Sequence, residues 1–207
     1  MNKEFRNFNF EVRAENNEQY GDFITGRAIV YGSVYDNGYY NEIIERGALD
    51  ETDLRDVRLL VNHNFDIIPL ARSRNNNANS TMQMTVDDDG MNIRANLDTS
   101  ANADAKALYS ATARGDISGM SFAFTVSGEA WDDLDTDKPT RRITAIEKVF
   151  EVSAVTFPAY EDTTLEARSN EALESARSAL ESARAEQSAK LKARSDSINK
   201  IKLLCEV

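Results

Sequence analysis

The sequence predicts a mainly β protein of the α+β class with a helical C-terminal tail. Three observations carry this. From residue 6 to about residue 160, short β-rich runs alternate with turn signals. Only one stretch within that region has convincing helical spacing. After Pro158 the composition changes, and from Glu166 to Val207 there is no Gly, Pro or aromatic residue. A chain of 207 residues is long enough for one domain with a real core plus an appendage, but short for two full domains. The expected division is a β-rich domain over residues 1–165 and a helical or partly disordered tail over 166–207.

The predicted strands, in order, are "FNFEVRA", "FITGRAIVYGSV", "VRLLVNH", "IIPLARS", "STMQMTV", "MNIRANLD", "ISGMSFAFTV" and "ITAIEKVFEVSAVTF". So many short strands at this spacing suggest a barrel or a sandwich. "ETDLRD" is expected to form a helical turn. "ANADAKALYSATARG" places Ala103, Ala107, Leu108 and Ala111 at helical spacing and ends on a glycine stop at Gly115. "DDDG", Asp87 to Gly90, lacks the alternating spacing of a calcium loop and is expected to be a tight turn between strands. In the tail, "ALESARS" (172–178) recurs as "ALESARA" (179–185). Leu173 and Leu180, with Ala176 and Ala183, form a narrow stripe that continues raggedly through Leu191, Ile198 and Ile201. Two readings stay open for this tail, a solvated or partly disordered segment and a partner-binding helix.

Charge and composition exclude several function classes. The formal net charge is -11, which disfavours phosphate backbones and anionic membrane surfaces, so neither nucleic acid nor membrane is an expected partner. The tail carries 8 basic and 7 acidic residues, leaving 28 acidic against 16 basic in the rest, so the acidity belongs to the β-rich part. Cys205 is the only cysteine, which rules out an internal disulfide and suits a reducing compartment. No signal-peptide h-region or membrane-spanning run occurs, and a soluble, unexported chain is expected. With one histidine, His63, a zinc site would need carboxylates for its other ligands; no metal and no cofactor is expected.

The stretch "RGDISGMSFAFTV", Arg114 to Val126, holds two serines inside a predicted strand. Alternation puts Ser118, Met120, Phe122, Phe124 and Val126 on one face, the core face, and Ile117, Gly119, Ser121, Ala123 and Thr125 on the other. Ser121 therefore lies among small residues and is expected to be the exposed hydroxyl, with Ser118 pointing coreward. A serine that merely fills a tight place in a sheet is the commoner situation, so company is needed. His63 ends the run "VRLLVNHN", and although a lone histidine at a strand end is more often structural, it is the one side chain here suited to take and return a proton near neutrality. In the last strand Glu147, Val149, Glu151, Ser153 and Val155 share a face; a carboxylate in such a run asks for a partner or is a salt-bridged surface residue.

Taken in order, "GRAIVYGSVYD", "YYNEIIERGALDE", "LLVNHN", "PLARS", "GDISGMSFAF" and "FEVSAVTFPAY" resemble the prohead maturation proteases of tailed bacteriophages, over roughly residues 6 to 165. The resemblance implies a herpesvirus-protease-like β-barrel flanked by helices, and a serine endopeptidase acting inside the immature capsid in the host cytoplasm. It places the family histidine on His63, the serine on Ser121 and the acidic residue on Glu151, with Glu147 as the alternative third member. Ala123 stands where many relatives have glycine. Arg141 and Arg142 resemble a basic pair near the site of the herpesvirus enzymes. The implied substrates are the scaffolding protein or the scaffolding segment of the major capsid protein, and the protease itself; a homodimer is compatible with it. The tail would dock to scaffold or be removed. Two rival classes remain: a catalytically inert assembly factor built on the same barrel, and a small-molecule esterase, for which the "G-x-S-x-G" elbow is missing.

Overall fold

The computed structural model describes residues 3–8, 12–156 and 168–205. The expected domain boundary at 165/166 and the end of the "FEVSAVTFPAY" run therefore lie outside the described residues. The elements run β1 (Glu4–Phe8), β2 (Val12–Asn17), β3 (Gly21–Val30), β4 (Val34–Asp36), β5 (Asn41–Ile44), β6 (Asp56–Val61), β7 (Ala71–Arg74), β8 (Met82–Asp87), β9 (Gly90–Asn96), α1 (Ala103–Ala113), β10 (Gly119–Asp132), β11 (Thr140–Val155) and α2 (Arg168–Cys205). Among the described residues the composition is mainly β with two helices, which matches the expected class. Among the described residues no helix is long and apolar enough to cross a membrane.

The chain divides into two compact units. The first comprises Met1–Ser33, Ile43–Glu129 and Ile143–Thr164. Within it one sheet has the order β1-β10-β11-β5, with β6 added to β11 and β7 to β6. The second sheet is β2-β3-β9-β8. Ile24, Ile29 and Met91 of the second sheet join Leu59, Phe122, Phe124 and Val152 of the first in one buried cluster. Among the described residues strand pairing leaves both sheets open, with β2 and β8 at the edges of one and β1 at an edge of the other, so these strands do not close into a barrel.

Local sequence explains most of these elements. In β9, Met91, Ile93 and Ala95 are buried at every second position, the period a half-buried strand requires. Asp87 accepts hydrogen bonds from the N–H groups of Asp89 and Gly90 and closes the expected β8–β9 turn. Gly90 has φ +140, and a Cβ there would lie 1.9 Å from the Ile29 carbonyl oxygen, so only glycine fits. In α1, the Asn102 side chain caps the N–H groups of Asp104 and Ala105, and Gly115 ends the helical segment at φ +78.

Two expectations fail here. "ETDLRD" is not a helical turn: Asp53 bridges to Lys148 in extended form, its N–H donating to the Glu147 carbonyl. Strict alternation along β11 also breaks, because Ile143, Ile146, Val149 and Val152 are all buried at three-residue spacing. Over this stretch β11 pairs with an irregular segment. Ile146 N–H bonds to the Ala48 carbonyl and Val149 N–H to the Asp53 carbonyl, which rotates the strand faces.

The second unit comprises Val34–Glu42, Ala130–Arg142 and Leu165–Val207. Here Ala176 and Leu180 of α2 are buried with Tyr40 and Leu134, and Tyr39, Trp131 and Ala183 pack around them. Arg184 donates to the carbonyls of Leu134 and Thr136. The heptad stripe of the tail is thus covered at Ala176 and Leu180 by residues of its own chain, whereas Leu191 and Ile198 are exposed. Arg141 and Glu42 form a buried ion pair, and Arg142 pairs with Asp132.

Candidate active site

The site is assembled from three neighbouring strands of the first unit. β11 lies beside β10, and at its C-terminal end β6 pairs with it in parallel, with Glu151 opposite Arg58 and Ser153 opposite Leu60. Past the end of β6 the chain turns through two left-handed residues, Asn62 at φ +50 and His63 at φ +55. Asparagine tolerates this conformation because its side chain can bond locally. Asn62 Nδ2 donates to Thr156 Oγ1, and Thr156 N–H donates to Asn62 Oδ1. The turn directs His63 back across the sheet.

The His63 ring links the other two expected residues. Its Nδ1 lies 2.7 Å from Glu151 Oε1, and its Nε2 lies 2.6 Å from Ser121 Oγ. Because the carboxylate is an acceptor, Nδ1 carries the proton and Nε2 presents its lone pair to the serine. Glu151 is fully buried, and its second oxygen accepts the Ser153 hydroxyl at 2.5 Å. That same hydroxyl oxygen accepts the His63 backbone N–H at 3.1 Å. The Phe5 ring, itself exposed, meets the imidazole edge to face, 4.8 Å between centroids.

Of the two carboxylates left open by the sequence, Glu151 meets His63. Glu147 accepts a hydrogen bond from the Thr125 hydroxyl instead. Ser121 is on the face expected for it, opposite that of Met120, Phe122 and Phe124, all three in the core. Its exposure is not as expected. Ser121 is fully buried: β1 pairs along β10 with Asn7 opposite Ser121, and the Arg6 carbonyl, 2.8 Å from the hydroxyl, is a second acceptor for its one hydrogen beside His63 Nε2. Ser118 departs from expectation as well: it is exposed and precedes β10, so strand alternation does not reach it. Arg141 and Arg142 are committed to Glu42 and Asp132.

Three participants escaped the sequence reading. Ser153 stood in the quoted run on the same predicted face as Glu151, a usable signal. The Arg6 carbonyl and the Phe5 ring gave none, since they arrive through pairing between residues more than a hundred positions apart.

A serine hydroxyl hydrogen-bonded to an imidazole, itself held by a buried carboxylate, is the constellation of serine hydrolases. The chain matches the model of one such family, described as caudovirus prohead serine protease, over residues 8–177. It belongs to that family, which makes it a serine protease of phage capsid maturation. No curated protein and no solved structure matches it.

Proposed function

We propose that the protein is a serine endopeptidase using a Ser-His-Glu triad of Ser121, His63 and Glu151 to cleave the scaffolding protein or the scaffolding segment of the capsid protein, and itself, inside the immature capsid of an infected cell. The observation that carries this reading is the unbroken chain from Glu151 through His63 to Ser121. Ser121 Oγ attacks the peptide carbonyl as its proton passes to His63 Nε2. The C–N bond then breaks, the amine leaves with that proton, and an acyl-enzyme remains. Water repeats the sequence with His63 again as base, releasing the acid and restoring Ser121. Glu151 keeps Nδ1 protonated and lies against the imidazolium while it exists. The two open sheets sharing one core are the counterpart we assign to the herpesvirus-protease barrel, and residues 166–207 are the segment assigned to docking or self-removal.

One observation favours a second reading, an inert assembly factor: Ser121 is fully buried and its single proton has two acceptors, Nε2 and the Arg6 carbonyl. Labelling of the intact chain by a fluorophosphonate, with intact-mass measurement over time, separates the two. A protease labels at Ser121 and shortens, while Ser121→Ala and His63→Ala do neither. Equal behaviour of wild type and Ser121→Ala would overturn the proposal.

A further inference from the structure

We infer that Ser153 is a positioning residue of this site, setting both the carboxylate and the histidine through one hydroxyl; the inference rests on the triad reading above. Ser153 is fully buried, so its hydroxyl has no water to bond and must be satisfied by protein. Its two bonds are ordered by elementary donor rules. The His63 backbone N–H can only donate, so Ser153 Oγ accepts there and its own hydrogen is free for Glu151 Oε2. The other carboxylate oxygen, Oε1, receives His63 Nδ1, so each oxygen of Glu151 is held by a different donor. The tautomer that leaves the Nε2 lone pair facing Ser121 follows from this arrangement.

The backbone bond has a separate consequence. His63 sits at φ +55, where side chains other than glycine are disfavoured, and it needs support to stay there. Its N–H, anchored on β11 by Ser153, ties the left-handed turn to the strand that carries the acid. A serine present only to fill a small space would be replaced by alanine without consequence. This one bonds the acid by its hydrogen and the base's backbone by its oxygen.

The test uses the intact chain and exploits the fact that His63 is the only histidine. The Nδ1 proton of a histidine bonded to a carboxylate gives a far-downfield proton resonance, which here has a single source. Ser153→Ala should weaken or shift that resonance and slow the saturating rate of fluorophosphonate labelling by about 10- to 100-fold, the range for losing one hydrogen bond to a charged group, with little change in the half-saturating concentration. Ser153→Thr, which keeps the hydroxyl, should restore both. If the extra methyl prevents folding, Ser153→Cys, a weaker donor of similar size, should fall between serine and alanine. An unchanged resonance in folded Ser153→Ala, or a labelling loss that only follows its folded fraction, would overturn the inference. Should wild type fail to label at all, the triad reading falls, while the resonance still decides the role of Ser153.

Discussion

Glu151→Gln tests the electrostatic core of the mechanism with almost no change in shape. The side chain is fully buried and receives two donors, His63 Nδ1 and the Ser153 hydroxyl. Glutamine can keep one or both contacts, but it cannot carry the charge that faces the imidazolium during acyl transfer. The contact distance is 2.7 Å. With both charges spread over their groups, the centres are about 4.5 Å apart, and at an effective dielectric near 20 the lost attraction is about 4 kcal/mol. That corresponds to a rate loss of roughly three orders of magnitude. If glutamine instead turns its amide towards Nδ1, the ring is forced into the tautomer with Nε2 protonated, and the loss moves towards the ~10⁴-fold seen when this tautomer is wrong in other triads.

The assay is the saturating rate of fluorophosphonate labelling, with self-shortening followed by mass as a substrate-independent second readout. Both should fall together while the half-saturating concentration stays near that of wild type, because the change affects only the charged transition state. A Glu151→Gln rate within about threefold of wild type, in a protein that unfolds at the same temperature, would refute the assignment of Glu151 as the group that holds His63.

Gly90→Ala should cost the protein several kcal/mol, of the order found when a backbone clash and a left-handed strain coincide, since its Cβ would collide with the Ile29 carbonyl at φ +140; wild-type thermal stability would contradict the turn geometry. Acidification should destabilise the fold as pH falls through the carboxylate range. The Thr99 and Asn16 side chains bonded to Asp22, Arg55 and Lys148 around Asp53, and Arg72 and Arg58 around Asp56 hold these three carboxyls below their ordinary value. A group with a lowered folded pKa stabilises above its unfolded pKa and loses that contribution on protonation, so urea midpoints measured from neutrality down to about pH 3 should decline; a flat series would exclude the effect. Leu180→Ala, at a position buried between α2 and Tyr40, should cost about 2–4 kcal/mol and accelerate amide exchange in α2, whereas unchanged exchange would show that the helix does not depend on that packing.

How far the site was legible depends on how local the controlling geometry is. Ser121 could be singled out because β10 is regular from Gly119 onward, so alternation separates it from Met120 and Phe122. The same rule failed three residues earlier at Ser118, where the chain has not entered the strand. Glu147 and Glu151 could not be told apart, because alternation puts them on one face. Their partners differ by place along β11: β6 pairs with it only from Glu151 to Ala154, which brings His63 to Glu151 and leaves Glu147 to the Thr125 hydroxyl, and no local pattern encodes that pairing. The covering of Ser121 by β1 was invisible as well, since the predicted run "FNFEVRA" begins only at Phe8, the last residue of β1, and no local pattern names β10 as its partner.

His63 was recognisable by its chemistry and not by its conformation, and its conformation is what makes the site work. Adjacent strands lie about 4.8 Å apart, so from β6 across β11 to β10 is about 10 Å, farther than an imidazole reaches when projecting straight from a strand. A histidine within β6 would point perpendicular to the sheet. Placed just past its end, with Asn62 and His63 both left-handed, the ring instead turns over β11, meets Glu151 there and reaches Ser121 on β10. The acid is therefore on the middle strand of the three, and so is the serine that anchors the turn. The backbone bond from His63 to Ser153 and that from Asn62 N–H to the Ala154 carbonyl fasten the turn to β11, so the base is fixed to the strand it crosses and not only to the one it leaves.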